Sequence, residues 1–369
     1  MPEQSKKTPC GIGLLAHVDA GKTTLSEALL YVSGARRTLG RVDHADAFLD
    51  THALERARGI TIFSKQARFE TDSRTITLVD TPGHVDFAAE AERVLPVLDC
   101  AVLVIGGQLQ AHTTTLWNLL KRYHVPTILF ISKMDLPDKS REALMAQLTS
   151  QLDAGCVDFC AEEDAICEAV AMCDEALLES YLETGTVTQN NIRQLVASRK
   201  VFPCCFGSGL KLQGIDRLLD VLDAYGPQPS YGENFGARVY KISRDPQGNR
   251  LTWLKVTGGT LRVRDSITYT DEKDREFTEK AVQLRLYSGE KFTVAEAAYP
   301  GELLAVTGLS ATFAGQGLGA ESGAPAPVLE PVMTYRVGLP KGCDPMTFLP
   351  KMRQLEEEDP QLHVLWDDH

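Results

Sequence analysis

The chain of 369 residues is long enough for two or three domains, each with its own hydrophobic core. Its 43% hydrophobic and 24% charged residues are those of an ordinary globular protein, and no apolar run approaches the roughly 18 residues of a membrane span. The net charge of −12 argues against a protein that wraps nucleic acid over its whole surface, although a local contact with a ribonucleoprotein stays open. We therefore expect neither a membrane nor DNA among its partners.

The N-terminus and the cysteines indicate a reducing compartment. The first ten residues, MPEQSKKTPC, lack the apolar core of a signal peptide. Nine cysteines are an odd count for a disulfide framework, so we expect reduced thiols in a cytoplasmic monomer. One cluster has spacings that match no zinc motif, and its gaps of four and seven residues fit one face of a helix; its members are Cys156, Cys160, Cys167 and Cys173. Structural thiols are the favoured interpretation, with a metal site as the alternative.

From residue 10 to about 226, apolar strands alternate with amphipathic helices. The predicted strands are GIGLLA, TITLVD, AVLVI and TILFIS. The predicted helices are TTLSEALLYVSG, which Gly34 closes, EAERVLPVLD and TTLWNLLKRYH, followed by a largely helical stretch over residues 137 to 200. This alternation predicts an α/β domain over residues 1–228, built on a mostly parallel sheet with both faces covered.

The pattern changes after the Pro/Gly stop GPQPS at residues 226 to 230. Short strands with turn signals between them predict a small antiparallel β-barrel over residues 232–330: ARVYKI, LTWLKVTGGTLRV, DSITYT, KAVQLRLY and GELLAVTGL. Residues 331–369 then read as a strand (VMTYRVGL), a helix (PMTFLPKMRQLEEED) and a further strand (LHVLW). So short a piece buries little core, which favours the start of an α+β domain that the end of the chain cuts off; a small α+β cap on the barrel is the alternative.

The loop AHVDAGKTT, residues 16 to 24, lies between the first strand and the first helix and has the spacing of a phosphate-binding loop. Lys22 would bridge the β- and γ-phosphates of a nucleotide, and the Thr23 hydroxyl would bind Mg²⁺. Ala16 stands where the pattern expects glycine, but close approach of the backbone depends on Gly21. The backbone N–H groups that would cradle phosphate belong to Asp19, Ala20, Gly21, Lys22, Thr23 and Thr24. A glycine turn with a solvated lysine is the alternative.

Two further motifs fit the same phosphate chemistry. DTPGH at residues 80 to 84 follows a strand, so Asp80 can hold Mg²⁺ through water and Gly83 can offer its N–H to the γ-phosphate. His84 then stands where a side chain could orient the attacking water. In RGITI, residues 58 to 62, Thr61 can add a second hydroxyl to Mg²⁺, which would make this segment a switch; an edge strand is the alternative interpretation.

The motif SKMD, residues 132 to 135, selects the base. Asp135 can accept hydrogen bonds from guanine N1–H and the 2-amino group, whereas adenine lacks that amino group and presents an acceptor at N1. Lys133 would pack its stem over the base. FGSG at residues 206 to 209, with the residue after it, offers backbone N–H groups for guanine O6 from Ser208, Gly209 and Leu210.

Taken in order, these five motifs resemble those of the translational GTPases, and the longer strings resemble the elongation factor G branch, above all its tetracycline-resistance ribosomal protection proteins. The strings are GLLAHVDAGKTTLSEALLYVSGA, LGRVD, ERARGITI, DTPGHVDF, RVYKI, YPGELLAVTGL and PVMTYRVGLPKGCDPMTFLPKMRQLEEEDPQLHV. The resemblance covers nearly the whole chain. It implies a P-loop GTPase domain, a β-barrel domain II and the start of an α+β domain III.

The resemblance also implies a mechanism. GTP would be hydrolysed to GDP and phosphate with Mg²⁺, on activation by the ribosome through its RNA and proteins. His84 would be the catalytic histidine, assisted by Lys22, Gly83 and Thr61. Val18 and Ile60 match the apolar gate that holds this histidine away before activation.

Three departures from the family pattern bear on nucleotide affinity. Ser132 replaces the usual asparagine that precedes Lys133, and this shorter side chain would cost ~1 kcal/mol of binding. Gly209 replaces the usual alanine, and GGQLQAHT lacks the acidic residue expected after AVLVI. Three alternatives to a ribosomal protection protein therefore stay open: an elongation factor G paralogue, a drifted nucleotide-binding module without hydrolysis, and an ATP-using P-loop enzyme.

Overall fold

The computed structural model describes residues 7–40, 48, 61, 63–137, 139–329, 334–339, 342 and 344–366. The chain divides into two units. One runs to Ser230 and takes in Tyr287–Phe292, and the other takes in Tyr231–Leu286 and the chain from Thr293 onward. Among the described residues, no helix combines the length and apolar character that crossing a membrane requires.

The first unit is built on one sheet with the strand order β2-β3-β1-β4-β5-β7-β6. All neighbouring strands are parallel except β2, which pairs antiparallel with β3 at one edge. The strands are β1 (Thr8–Ala16), β2 (Lys65–Glu70), β3 (Arg74–Asp80), β4 (Cys100–Ile105), β5 (Thr127–Ile131), β6 (Cys156–Asp158) and β7 (Phe202–Phe206). This is the mostly parallel sheet that the alternating pattern predicts.

Helices cover the sheet because its central strands are largely apolar, and β4 and β5 are buried at every position. The helices of this unit are α1 (Lys22–Val32), α2 (Ala88–Val94), α3 (Ala111–Arg122), α4 (Arg141–Gln151), α5 (Glu163–Ala171), α6 (Glu175–Thr184), α7 (Gln189–Ala197) and α8 (Ile215–Tyr225). Gly34 has φ +74° just after α1, as expected for the residue that ends this helix.

Buried Arg74 fixes the end of this unit. Its guanidinium donates to the carbonyl oxygens of Gly226 at 2.6 Å and Pro227 at 2.8 Å, so the chain that leaves α8 is tied to the start of β3. Arg74 is only 1% exposed, and these hydrogen bonds offset the free-energy cost of burying its charge. The GPQPS segment, residues 226 to 230, thus belongs to the first unit.

The second unit consists mainly of antiparallel strands, as predicted. Neighbours in its main sheet run in the order β13-β16-β9-β8-β17, and two smaller ladders pair β10 with β15 and β11 with β12. One core unites residues of these ladders, among them Val239, Leu254 and Ile267. The strands between residues 236 and 319 are β8 (Gly236–Arg244), β9 (Arg250–Gly258), β10 (Leu261–Arg262), β11 (Ser266–Thr270), β12 (Glu276–Lys280), β13 (Gln283–Ser288), β14 (Lys291–Ala295), β15 (Ala297–Ala298), β16 (Leu303–Thr307) and β17 (Gly317–Gly319).

The predicted strands on either side of the last helix are not formed in the part of the chain that is described. The helix itself is present as α9 (Pro345–Glu358), but residues 334–339 have no regular structure, and LHVLW follows a short 3₁₀ turn, Pro360–Leu362, without becoming a strand. Tyr335 is 75% exposed and Leu365 is 90% exposed. A strand is stabilised by its pairing partner, and the described residues supply none for these two segments.

The prediction that four cysteines share one helix face is also wrong. Cys156 lies on β6, Cys160 follows that strand, and Cys167 lies on α5 with Cys173 just beyond its end. Among the described residues, no group of three or more His, Cys, Asp or Glu side chains is arranged to hold a metal ion. The spacing misled because strand β6 is only three residues long and is stabilised by β7, far away in the sequence.

Candidate nucleotide site

The loop between β1 and α1 presents free helix N–H groups at the carboxyl edge of the sheet. Gly21 has φ +93° and precedes the helix without a side-chain cap, while Asp19 has φ +59°. A helix N-terminus without a cap leaves its first-turn N–H groups for a ligand, and the helix dipole favours an anion there. The local sequence thus builds an anion site.

Three predicted residues meet at this loop. The Lys22 Nζ donates to Asp80 Oδ1 at 2.5 Å and to Thr61 Oγ1 at 3.3 Å. Lys22 is the first residue of α1 and Asp80 the last residue of β3, so helix, strand and the segment at Thr61 converge on one ammonium group. All three side chains are buried.

The donor set around Asp80 fits Mg²⁺. Asp80 is 0% exposed, and its Oδ2 has no hydrogen-bond partner within the described parts of the chain. A buried carboxylate oxygen without a partner is costly, and a hydrated divalent cation would satisfy it. The residues that would hold the ion are Asp80, Thr61 and Thr23, the second residue of α1.

Gly83 packs against the phosphate-binding loop, whereas His84 caps the turn that follows it. A Cβ added to Gly83 would lie 3.1 Å from the Ala16 carbonyl oxygen, so this glycine packs directly against the start of the loop. His84 is half-buried, and its Nδ1 accepts a hydrogen bond from the Asp86 N–H at 3.3 Å, which caps a 3₁₀ turn over Val85–Phe87. In this conformation His84 caps its own turn and is not a hydrogen-bond partner of the Lys22 cluster.

The predicted base-binding segments also meet, through Ser132 and Asp135. The Ser132 hydroxyl donates to the carbonyl oxygen of Ala20, which ties the SKMD segment to the phosphate-binding loop. The Met134 N–H, next to Asp135, donates to the carbonyl oxygen of Gly207, next to Ser208, at 3.0 Å. The nearby Ser208 side chain, with Lys211 and Lys139, lowers the pKa of the Asp135 carboxyl, so this exposed group is a carboxylate at neutral pH.

The other predicted base-site residues have varied surroundings. Lys133 has φ +60° and is half-buried, and Leu210 is 49% exposed. A Cβ on Gly209 would lie 3.2 Å from both the Leu25 nitrogen and the Thr24 carbonyl oxygen, so the loop after β7 packs closely on the first turn of α1. Glycine at residue 209 thus permits a close approach of this loop to α1.

The apolar gate is described only in part. Val18 is half-buried in the loop after β1, whereas Ile60 lies outside the described residues, as does most of the polar segment from about 36 to 58. The prediction that Val18 and Ile60 together form a gate therefore stays a prediction.

Two features of the site were missed from the sequence. Lys139 donates to the carbonyl oxygens of Gly106 and Ser132, each at 3.4 Å, so its charge stands at the rim of the base-binding segments. Its position four residues after Asp135 was the available signal. His17 and His112 form the second feature, with ring centroids 5.8 Å apart.

Two family models and a solved structure match this chain. The family described as "Elongation factor Tu GTP binding domain" matches residues 7–228, and "Elongation factor G domain 2" matches residues 234–320. The crystal structure of a Thermus thermophilus protein titled ttk003000868 superposes with a TM-score of 0.82 at 23% identity, covering 96% of this chain and 61% of that one, which supports the fold.

Among curated proteins, elongation factor G of Dehalococcoides mccartyi strain 195 is 28% identical over 97% of this chain and 62% of its own length. The tetracycline resistance protein TetW of Butyrivibrio fibrisolvens is 34% identical over 79% of this chain and 48% of its own. The oxytetracycline resistance protein of Streptomyces rimosus is 31% identical over 97% of this chain and 59% of its own. The chain thus spans about half to three-fifths of the length of these relatives.

The resemblance inferred from the sequence motifs is confirmed by these matches. The first family match covers more than half of the chain, and the match to elongation factor G domain 2 follows it along the sequence. The chain belongs to the elongation factor Tu GTP-binding domain family, as a translational GTPase of the elongation factor G type.

Proposed function

We propose that this chain is the GTP-binding and GTP-hydrolysing part of a ribosome-dependent translation factor, and specifically of a tetracycline-resistance ribosomal protection protein. The observation that carries the proposal is the convergence of Lys22, Asp80 and Thr61 at the uncapped N-terminus of α1. Matches to two tetracycline resistance proteins, at 34% and 31% identity, support the protection role.

GTP would be held at both ends of the site. The N–H groups of the phosphate-binding loop and the Lys22 ammonium would hold the phosphates, and Asp135 would accept the two guanine N–H donors. A bound Mg²⁺ would add positive charge beside the phosphates, held by the Thr23 and Thr61 hydroxyls and by Asp80. Since Lys22 is paired with Asp80, binding requires the ammonium to exchange this partner for phosphate oxygens.

Hydrolysis would require His84 to leave the cap on its own turn. The Asp86 N–H bond is long at 3.3 Å, the exposed Asp86 carboxylate lies 3.4 Å from the same nitrogen, and the His84 side chain is 37% exposed, so only weak contacts oppose that movement. Once turned inward, the imidazole would orient water for attack on the γ-phosphate, with Gly83 offering its N–H nearby. Positioning is the main catalytic contribution in phosphoryl transfer, which is why slow turnover is expected until a ribosome moves this histidine.

The first test is nucleotide binding. Calorimetric titration in Mg²⁺ should give binding of GDP and GTP but not of ATP. Equal affinity for ATP would overturn the assignment of Asp135, and no binding of any nucleotide would overturn the proposal.

The second test is single-turnover GTP hydrolysis with 70S ribosomes, comparing the full-length protein that carries this chain with its His84→Ala variant. The variant should lose most of the ribosome-stimulated rate while binding GTP normally. His124→Asn, at an exposed histidine beyond α3, is the matched control and should hydrolyse like the wild type. Equal rates for wild type and His84→Ala would favour a nucleotide-gated binding module instead.

A third test separates the two ribosomal roles. The full-length protein should rescue tetracycline-stalled translation and should not promote translocation. The reverse result would assign the chain to an elongation factor G paralogue.

A further inference from the structure

The single hydroxyl proton of Ser132 is occupied by contacts within the protein. Ser132 is 3% exposed, and its Oγ donates to the carbonyl oxygen of Ala20, with the Ile105 carbonyl oxygen also at 3.3 Å. The asparagine that is usual at this position in the family has two amide N–H donors, one for the protein and one for the base, whereas a hydroxyl has a single donor. Residue 132 therefore joins the loops but leaves the base without a donor from its own side chain.

The ammonium group of Lys139 lies next to Ser132. Its Nζ donates to the carbonyl oxygens of Ser132 and Gly106, each at 3.4 Å, and these are its only hydrogen bonds to the described residues. Both bonds are long, and an ammonium has three donors. At least one N–H of Lys139 is therefore left for a ligand.

The backbone on both sides holds this ammonium close to the phosphate-binding loop. Gly107 has φ +103°, and a Cβ there would lie 2.2 Å from the Lys139 Nζ, so glycine makes the room that the side chain occupies. A Cβ on Gly106 would lie 3.1 Å from the Ala20 Cα. Lys139 itself directly precedes Ser140, whose hydroxyl caps the rigid helix α4.

The charge of Lys139 has few acceptors around it. Burial and the neighbouring charge of Lys133 lower the pKa of its ammonium, and the Asp135 carboxylate offsets them only in part. A ligand acceptor would replace two long contacts by a charge-assisted hydrogen bond, which is stronger than a neutral one.

We propose that Lys139 donates a hydrogen bond to the ring nitrogen N7 of the bound guanine and so supplies the donor that Ser132 does not; this inference rests on the proposed function. N7 is an acceptor in guanine and adenine alike. Lys139 therefore adds affinity, while Asp135 selects the base. The O6 atom stays with the N–H groups of the loop after β7.

The experiment compares GDP with 7-deaza-GDP, in which a C–H group replaces N7, by calorimetric titration in Mg²⁺. Wild type should bind GDP about ten-fold more tightly than the analogue, as expected for one hydrogen bond to a charged group. In Lys139→Met the GDP affinity should fall to that of the analogue, whose own affinity should stay within about two-fold of wild type. Lys121→Met, at an exposed lysine in the last turn of α3, is the matched control and should keep the wild-type ratio.

The nucleotide pair separates a contact to the base from a merely structural role. If Lys139→Met weakens GDP and 7-deaza-GDP equally, Lys139 only ties the loops together and the inference is wrong. Equal affinity of wild type for GDP and 7-deaza-GDP also overturns it, whether or not the variant folds. In both cases GDP still binds and the proposed function stands, whereas a wild-type chain that binds no guanine nucleotide overturns both.

Discussion

At the scale of single residues, the contact of Lys22 with Asp80 sets the energetic condition for nucleotide binding. Both side chains are almost fully buried, so removal of either partner would leave a buried charge, at a cost of about 3–5 kcal/mol. A bound Mg²⁺ nucleotide offers both groups an opposite charge in exchange. The ion pair therefore holds Lys22 and Asp80 in place without ligand. On binding, Lys22 would exchange Asp80 for phosphate oxygens, and Asp80 would exchange Lys22 for Mg²⁺.

The buried His112 leads to a prediction about pH. Burial first, and then the charges of His17 and His84, lower its pKa below the ordinary 6.5. The unfolded chain therefore takes up a proton at a higher pH than the folded chain does. The stability that neutral His112 contributes is complete above about pH 6.5 and is lost as the pH falls from there toward the lowered pKa.

We expect the melting temperature to fall between pH 7.5 and 5.5 by more in the wild type than in His112→Gln, whose amide cannot be protonated. Thermal unfolding followed by circular dichroism at both pH values measures the two decreases. His124→Asn, which removes an exposed histidine, should show the wild-type decrease. If wild type and His112→Gln decline equally, His112 is not the group responsible.

At the scale of elements, the sequence predicted those features that depend on neighbouring residues and missed those that depend on a pairing partner far away in the chain. The phosphate-binding loop, Asp80 and the SKMD segment each follow their strand within a few residues, so the sequence placed them at one sheet edge. Strand β6 was missed because it forms only against β7, across about forty intervening residues. The two strands predicted beside α9 are not formed because the described chain supplies no partner strand for their apolar patterns.

The turn after β7 supports a prediction about the base-binding loop. Gly207 accepts the Met134 N–H, and Ser208 forms an isolated bridge with Gln213. A Cβ on Gly207 would lie 2.1 Å from the Gln213 carbonyl oxygen, which is backbone and cannot move aside cheaply. Gly207→Ala should therefore separate this bridge and displace the segment around Asp135.

We expect Gly207→Ala to destabilise the first unit by about 1–3 kcal/mol and to weaken GDP binding about ten-fold or more. Thermal unfolding and calorimetric titration measure the two effects. Gly209→Ala is the matched control two residues away: its Cβ would meet α1 at 3.2 Å, so a shift of a few tenths of an ångström suffices and affinity should stay within about three-fold. Similar effects of both variants would contradict the role given to Gly207.

At the scale of the whole molecule, the chain contains two separate hydrophobic cores. One unites the sheet and helices of the first unit, and the other unites the antiparallel strands of the second. Every residue assigned to the nucleotide site belongs to the first unit. A ligand that binds only the folded first unit stabilises that unit by mass action and leaves the second core untouched.

Scanning calorimetry with and without GDP tests this division. At a GDP concentration 100 times its Kd, the stabilisation is about 2.7 kcal/mol, which corresponds to a rise of roughly 5–10 °C for a unit of this size. We expect one transition to rise by that amount while the other keeps its temperature, which makes the second unit an internal control. Lys22→Ala should abolish the rise, because it removes the main cation for the phosphates. A single transition that moves as a whole would mean that the two cores unfold together, and nucleotide binding would then stabilise the entire chain.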